Sequence, residues 1–131
     1  MRGYALVVAG AACAASVLLT PTSSAGAAGG ERRGDPYETY VACTTRAAAP
    51  ASHSCPKRHK KGAFFTSIDR DVTYKVCVKF PNNKRLCATH QEAPQGTKRV
   101  NPITSDQVGR HVVTWFVHGE QVGQFRFRIH R

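Results

Sequence analysis

Between Val72 and Phe80 the chain alternates without a break: Val72, Tyr74, Val76, Val78 and Phe80 fall on one side, Thr73, Lys75, Cys77 and Lys79 on the other. Successive side chains leave opposite faces of a strand, so a period of two marks a strand with one face in a core and the other toward water. Pro81-Asn82-Asn83 turns the chain and Arg85 to His90 returns. If Phe80 faces Lys84 across the turn, Val78 faces Leu86 on the apolar side and Cys77 faces Cys87 on the polar side. Directly opposed strand residues have Cβ atoms about 4.5 to 5.5 Å apart, close to what a disulfide spans. The register and the cysteine spacing therefore select the same bridge.

The remaining cysteines bear on the compartment. Five are present in 131 residues. Cys13 lies in an apolar run from Tyr4 to Leu19, preceded by Met1-Arg2 and followed by small residues through Ala28. This is the pattern of a secretory signal peptide over residues 1–28, cleaved after Ala27 or Ala28. The run falls short of the roughly 20 residues that span a bilayer, and the sequence offers no other transmembrane segment. Acylation of Cys13 would anchor the chain instead, but the run continues past that residue and the usual upstream Leu is missing. Either way Cys43, Cys55, Cys77 and Cys87 remain, an even count that implies a disulfide framework in a secreted, extracellular chain. Four cysteines allow three connectivities; the hairpin register chooses Cys77 with Cys87 and leaves Cys43 with Cys55.

Residues 29–36, Gly-Gly-Glu-Arg-Arg-Gly-Asp-Pro, are too polar and glycine-rich to pack and read as a flexible arm before one domain at 37–131. Tyr37, Thr39 and Val41 alternate with Glu38 and Tyr40, which predicts a first strand running into Cys43. A bridge to Cys55 would close the Ala47 to Ser52 loop, and the Lys57 to Lys61 charge run follows. Ala63 to Ile68 reads as a strand, Glu92 to Pro102 as turn-rich, and Ile103 as the start of a short stretch ending near Gly109. In the last hairpin His111, Val113, Trp115 and Val117 share a face, His118 to Gln121 turns, and Phe125, Phe127 and Ile129 alternate with Gln124, Arg126 and Arg128. Pairing Trp115 with Phe125 would stack aromatics, and at about 150 to 250 Å² buried apiece these residues should centre the core. Outside the signal region there is no helical apolar stripe and no internal repeat.

Several short alternating strands in about 100 residues, with a late buried Trp, describe an all-β, small antiparallel sandwich. The run Gly109 to Gly123 followed by Phe125-Arg126-Phe127 resembles the last two strands of bacterial immunoglobulin-like domains, including those of small secreted actinobacterial proteins. The resemblance covers about a sixth of the chain and implies the sandwich, with no functional residue attached.

Charge is the strongest surface signal. Nineteen Lys and Arg stand against eight Asp and Glu, a formal net charge of +11; removing residues 1–28 takes away one Arg and no acid. Soluble small domains need a magnitude of only about 2 to 8. Three basic sets stand out: Lys57, Arg58, Lys60 and Lys61; then Lys75, Lys79 and Arg85 on the cysteine hairpin; then Arg110, Arg126, Arg128 and Arg131 on the last one. They are candidates for an anion-binding surface, since a positive field attracts cell wall, acidic polysaccharide, nucleic acid and anionic lipid by the same long-range term. Solvated strand faces that discourage sheet-to-sheet aggregation are the bland alternative, and Phe116, opposite Trp115, would then sit half-covered by neighbouring arginine stems.

Other chemistry is thin. His53, Cys55 and His59 could be drawn as a metal site, but zinc wants four ligands in short paired spacings and Cys55 is better spent in a bridge, so no metal and no cofactor are expected. His90 and Glu92 could serve a basic nuclease, yet no motif fixes two such groups about one cleft. The sequence thus points to a non-catalytic binding module for an anionic extracellular or cell-envelope partner. A protein partner met through loops or an unpaired strand edge, as in a secreted enzyme inhibitor or an assembly subunit, is the second class, and a nuclease the third.

Overall fold

The alternating stretch becomes β4 (Val72–Lys79), in the interior of the larger of two sheets. The computed structural model describes residues 35–131; the signal peptide expected at residues 1–28 and the expected arm as far as residue 34 lie outside the described residues. In order, the strands are β1 (Tyr37–Ala42), β2 (Ser54–Pro56), β3 (Lys61–Ser67), β4, β5 (Arg85–Ala93), β6 (Lys98–Ile103), β7 (Gly109–Val117) and β8 (Glu120–His130). One sheet has the order β1-β3-β6, the other β2-β8-β7-β4-β5. Every pairing is antiparallel except β2 with β8. Among the described residues no helix is long and apolar enough to cross a membrane.

The core lies between the sheets. From the larger sheet Val72, Tyr74, Val76, Val113, Trp115, Val117, Phe127 and Ile129 point inward and are buried, as the alternation requires. The smaller sheet supplies Val41, Ala63, Phe65 and Ile103. Phe65 stacks on Tyr74 at 4.2 Å between ring centroids, one of the contacts that lock the layers together. On the other side of β3, Phe64 stacks on Tyr40 at 4.8 Å, and the Lys98 ammonium sits 5.1 Å above the Tyr40 ring. Both faces of β3 are therefore covered, which accounts for its nearly continuous burial.

Both disulfides form as the hairpin register requires. Cys77 and Cys87 are directly opposed on β4 and β5, with Cα atoms 4.0 Å apart. Cys43, just past β1, reaches Cys55 on β2 with Cα atoms 5.3 Å apart. One bridge links neighbouring strands on a face of one sheet; the other ties the two sheets to each other.

Several boundaries differ from the sequence reading. The strand expected at Ala63 to Ile68 starts two residues earlier, and Ile68 is half exposed beyond its end. The return strand runs on from His90 to Ala93, past a register shift at Tyr74/Val76 and a left-handed His90. The turn-rich segment contains β6, which ends at Ile103 rather than beginning there. Pro102 is tolerated because β6 is an edge strand with β3 as its one neighbour. The last turn is tighter than four residues: Val117 pairs with Glu120, and His118 and Gly119 both take positive φ, the geometry of a two-residue type I′ turn. A register shift between Trp115 and Phe116 sets Trp115 opposite Gly123, so Phe125 pairs with Val113 instead. Gly123 is where β8 passes close to β1, and a Cβ there would collide with the Thr39 side chain.

Candidate anion-binding face

The residues that alternate with the core positions build the outer face of the five-stranded sheet. Register sets them in rows. Arg85, Lys79, Val112 and Arg126 lie side by side across β5, β4, β7 and β8. The next row is Cys87, Cys77, Thr114 and Gln124, and beyond it Lys75, Phe116 and Gln121 adjoin. On the opposite flank Arg110 faces Arg128. The second and third basic sets thus form one surface, because β4 pairs directly with β7.

Two features of this surface bear on binding. Lys79 is directly opposed to Arg85, and Arg110 to Arg128. Like charges in directly opposed strand positions repel and destabilise the sheet. Among the described residues the ion pairs are Lys61 with Asp106 and Arg70 with Asp69, so no carboxylate lies within bonding range to relieve either cationic pair. Between the cations the sheet holds a shallow depression of about 360 Å³, floored by Val112, Thr114 and Phe116 and flanked by Lys79, Arg85 and Arg126. The Lys75 ammonium lies 4.7 Å and the Arg85 guanidinium 5.6 Å from the Phe116 ring centre, so Phe116 is half-buried beneath cations.

The first basic set is split. Lys57, Arg58 and Lys60 are exposed, and Arg58 and Lys60 line a separate depression of about 610 Å³ against Val100, Pro102 and Ile103. Lys61 is not a surface cation. It is 2% exposed, donates hydrogen bonds of 3.0 Å to the Lys57 and Ser105 carbonyl oxygens, and lies 3.7 Å from Asp106. A buried ammonium without such partners would be prohibitively costly; with them it pins the 57–60 segment to the loop that follows β6. In a charge run each residue looks alike, and only the onset of β3 at this position separates Lys61 from its neighbours.

The remaining candidates do not converge. His53 donates from Nδ1 to the Arg126 carbonyl at 2.7 Å and stacks on Phe125 at 4.3 Å, while Cys55 is consumed in its bridge. His90 and Glu92 are both exposed, and the depression that Glu92 lines includes Asp71 and His118 but not His90.

Sequence reasoning passed over one polar cluster. His111 is buried between Phe127, stacked at 5.0 Å, and Phe80, edge-on at 5.7 Å. Its Nδ1 donates to the Gly109 carbonyl at 3.1 Å, which leaves Nε2 to accept from the Ser105 hydroxyl at 2.7 Å. Burial holds this imidazole below its ordinary 6.5, the Gly109 hydrogen bond opposes that, and the nearby Lys61 ammonium adds to the lowering. The unfolded chain therefore binds a proton more readily than the folded one. The stability His111 supplies is complete above pH 6.5 and is lost as pH falls through and below that value. Denaturation midpoints are expected to drop from about pH 7 to about pH 5.5 in the natural chain and to drop less in His111→Asn.

No protein-family model and no curated protein matches the chain. Among solved structures it is similar to an immunoglobulin-like protein from Pseudomonas aeruginosa, with a TM-score of 0.53 and 12% identity over 72% of this chain and 92% of that one. A looser likeness is to a Pseudomonas fluorescens alkylpurine DNA glycosylase bound to DNA with an abasic-site analogue, at a TM-score of 0.43 and 13% identity. It covers 75% of this chain but 31% of the glycosylase chain, and it bears on neither fold nor function here. The first likeness shows an immunoglobulin-like sandwich fold.

Proposed function

We propose that this protein is an exported, non-catalytic binding module that holds an anionic extracellular or cell-envelope partner on the outer face of its five-stranded sheet. The observation that carries the reading is the pair of directly opposed cations, Lys79 with Arg85 and Arg110 with Arg128, with no carboxylate beside them among the described residues. A sheet kept only for stability has no use for two repulsive contacts on one face. A bound polyanion turns both into attraction. The disulfides suit an oxidising compartment, in keeping with a signal peptide at residues 1–28. Lys75, Lys79, Arg85, Arg126 and Arg128 are the cations that would face the ligand, joined by Arg110. Lys57, Arg58 and Lys60 would add attraction from another part of the surface.

A protein partner is the second reading, favoured by β5. This strand is an edge of the sheet, and Leu86 on it is 62% exposed. Salt separates the two readings. On immobilised anionic polymer, retention is expected to fall steeply between low salt and about 0.5 M. Arg126→Gln should weaken binding about tenfold and lower the slope of log affinity against log salt by about 1. Retention that ignores salt, or an Arg126→Gln protein that binds as well as the parent, would remove the anion reading and turn attention to the β5 edge.

A further inference from the structure

The depression on the outer face has a shape as well as a charge. Its floor, from Val112 to Phe116, runs along β7 for about 14 Å at the rise of an extended strand. Its flanks, β4 and β8, stand two strand spacings apart, about 9.5 Å. That is a slot for one extended chain. At about 360 Å³ the depression lies at the small end of ligand sites, so it encloses one or two units of such a chain and leaves the rest to run out at both ends.

The chemistry of the slot is mixed. Lys79 and Arg85 stand on one flank and Arg126 on the other, while Thr114, Gln121 and Gln124 contribute a hydroxyl and two amides to the same lining. Carboxamides and hydroxyls both donate and accept, which suits a ligand that itself carries hydroxyl groups and is wasted on a purely ionic one. Phe116 is the one aromatic ring in the lining, and cations already lie over it. Sites for single-stranded nucleic acid depend on aromatic rings on which successive bases stack, and a lone, cation-covered ring does not provide that.

We infer that the slot binds one chain of a linear acidic polysaccharide, with its carboxylate or sulfate groups on Lys79, Arg85 and Arg126 and its ring hydroxyls on Thr114, Gln121 and Gln124. The inference rests on the anion reading given above and narrows it. Charge complementarity selects the anion, and the amide and hydroxyl lining selects the sugar.

The test measures affinity of the purified chain, at one fixed low ionic strength, for four probes. These are an oligogalacturonate, its neutral methyl ester, an oligothymidylate and a linear polyphosphate, the charged three matched in number of charges. The oligogalacturonate is expected to bind tightest and the methyl ester not measurably. Gln121→Ala/Gln124→Ala, two exposed positions whose change should leave the melting temperature in place, is expected to weaken oligogalacturonate about tenfold and leave polyphosphate unchanged. Polyphosphate binding as tightly as oligogalacturonate, or a double variant that weakens neither, would overturn the polysaccharide assignment while leaving the anion reading standing. Oligothymidylate binding tightest, with loss in Phe116→Leu, would reassign the slot to single-stranded nucleic acid. Absence of binding by all three charged probes even at low salt would sink both the inference and the reading beneath it.

Discussion

Trp115→Ala is expected to lower the stability of the protein by about 3 to 5 kcal/mol, enough to threaten folding in a domain of this size. Trp115 is fully buried between the sheets, and the residue opposite it on β8 is Gly123, which has no side chain to move into the gap. With no side chain at that neighbour to fill the gap, the loss is expected toward the upper end of the range. Trp115→Phe should cost much less than the alanine change. Among the described residues the indole nitrogen has no hydrogen-bond partner, so the phenylalanine gives up volume but removes an uncompensated buried donor. Denaturant midpoints for the three proteins, disulfides intact, test both statements, and a Trp115→Ala midpoint near that of the parent would place the ring outside the core.

The two disulfides are expected to contribute alike to stability and unlike to chemistry. They close loops of similar length, with sequence separations of 12 and 10, so the chain-entropy model assigns each about 3 kcal/mol. Access differs. Each bridge has one buried cysteine, Cys77 or Cys55, but Cys87 is exposed on the edge strand β5 whereas Cys43 is half-buried. Thiol exchange needs a path to sulfur. A mild reductant should therefore open Cys77–Cys87 first and leave Cys43–Cys55 closed, a sequence that alkylation and peptide mapping would reveal. Opening of Cys43–Cys55 first would mean that β2 separates from β8 far more readily than its packing shows.

How far the sequence foretells this molecule depends on the range of each contact. The β4–β5 hairpin and the inward face of β7 were legible because alternation and a short turn are local, and Cys77 with Cys87 follows from counting back from Pro81. The first bridge followed by elimination. Strand β6 was hidden, since Lys98, Arg99 and Pro102 read as loop, and only the neighbouring β3 makes an extended strand of them. Strand β2 is three residues long and pairs with the far end of the domain, which no local pattern reports. The Trp115–Phe125 pairing failed because the turn holds two residues, His118 and Gly119, rather than four, and the one-residue shift beside Phe116 recovers only part of that difference. The candidate face was half legible: each hairpin showed its cations, but their union depends on β4 pairing with β7 across an intervening strand pair. Thr114, Gln121 and Gln124 would have drawn notice only once that register was known.

The parallel contact of β2 with β8 has a kinetic meaning. Cys55 and its neighbours find their partners more than seventy residues later, at Arg128, Ile129 and His130. Strand β8 is also the one that joins β2 to β7 and approaches β1 at Gly123. Strand β2 thus has no sheet to join until the last strand in the order has been made, whereas β1 pairs with β3 without it. Folding dominated by such distant pairings is slow, on the order of milliseconds to seconds, and its rate-limiting event should be the arrival of β8. Until then Cys55 has no strand beside it to hold it in place for Cys43, whereas the Cys77–Cys87 hairpin needs only its own turn.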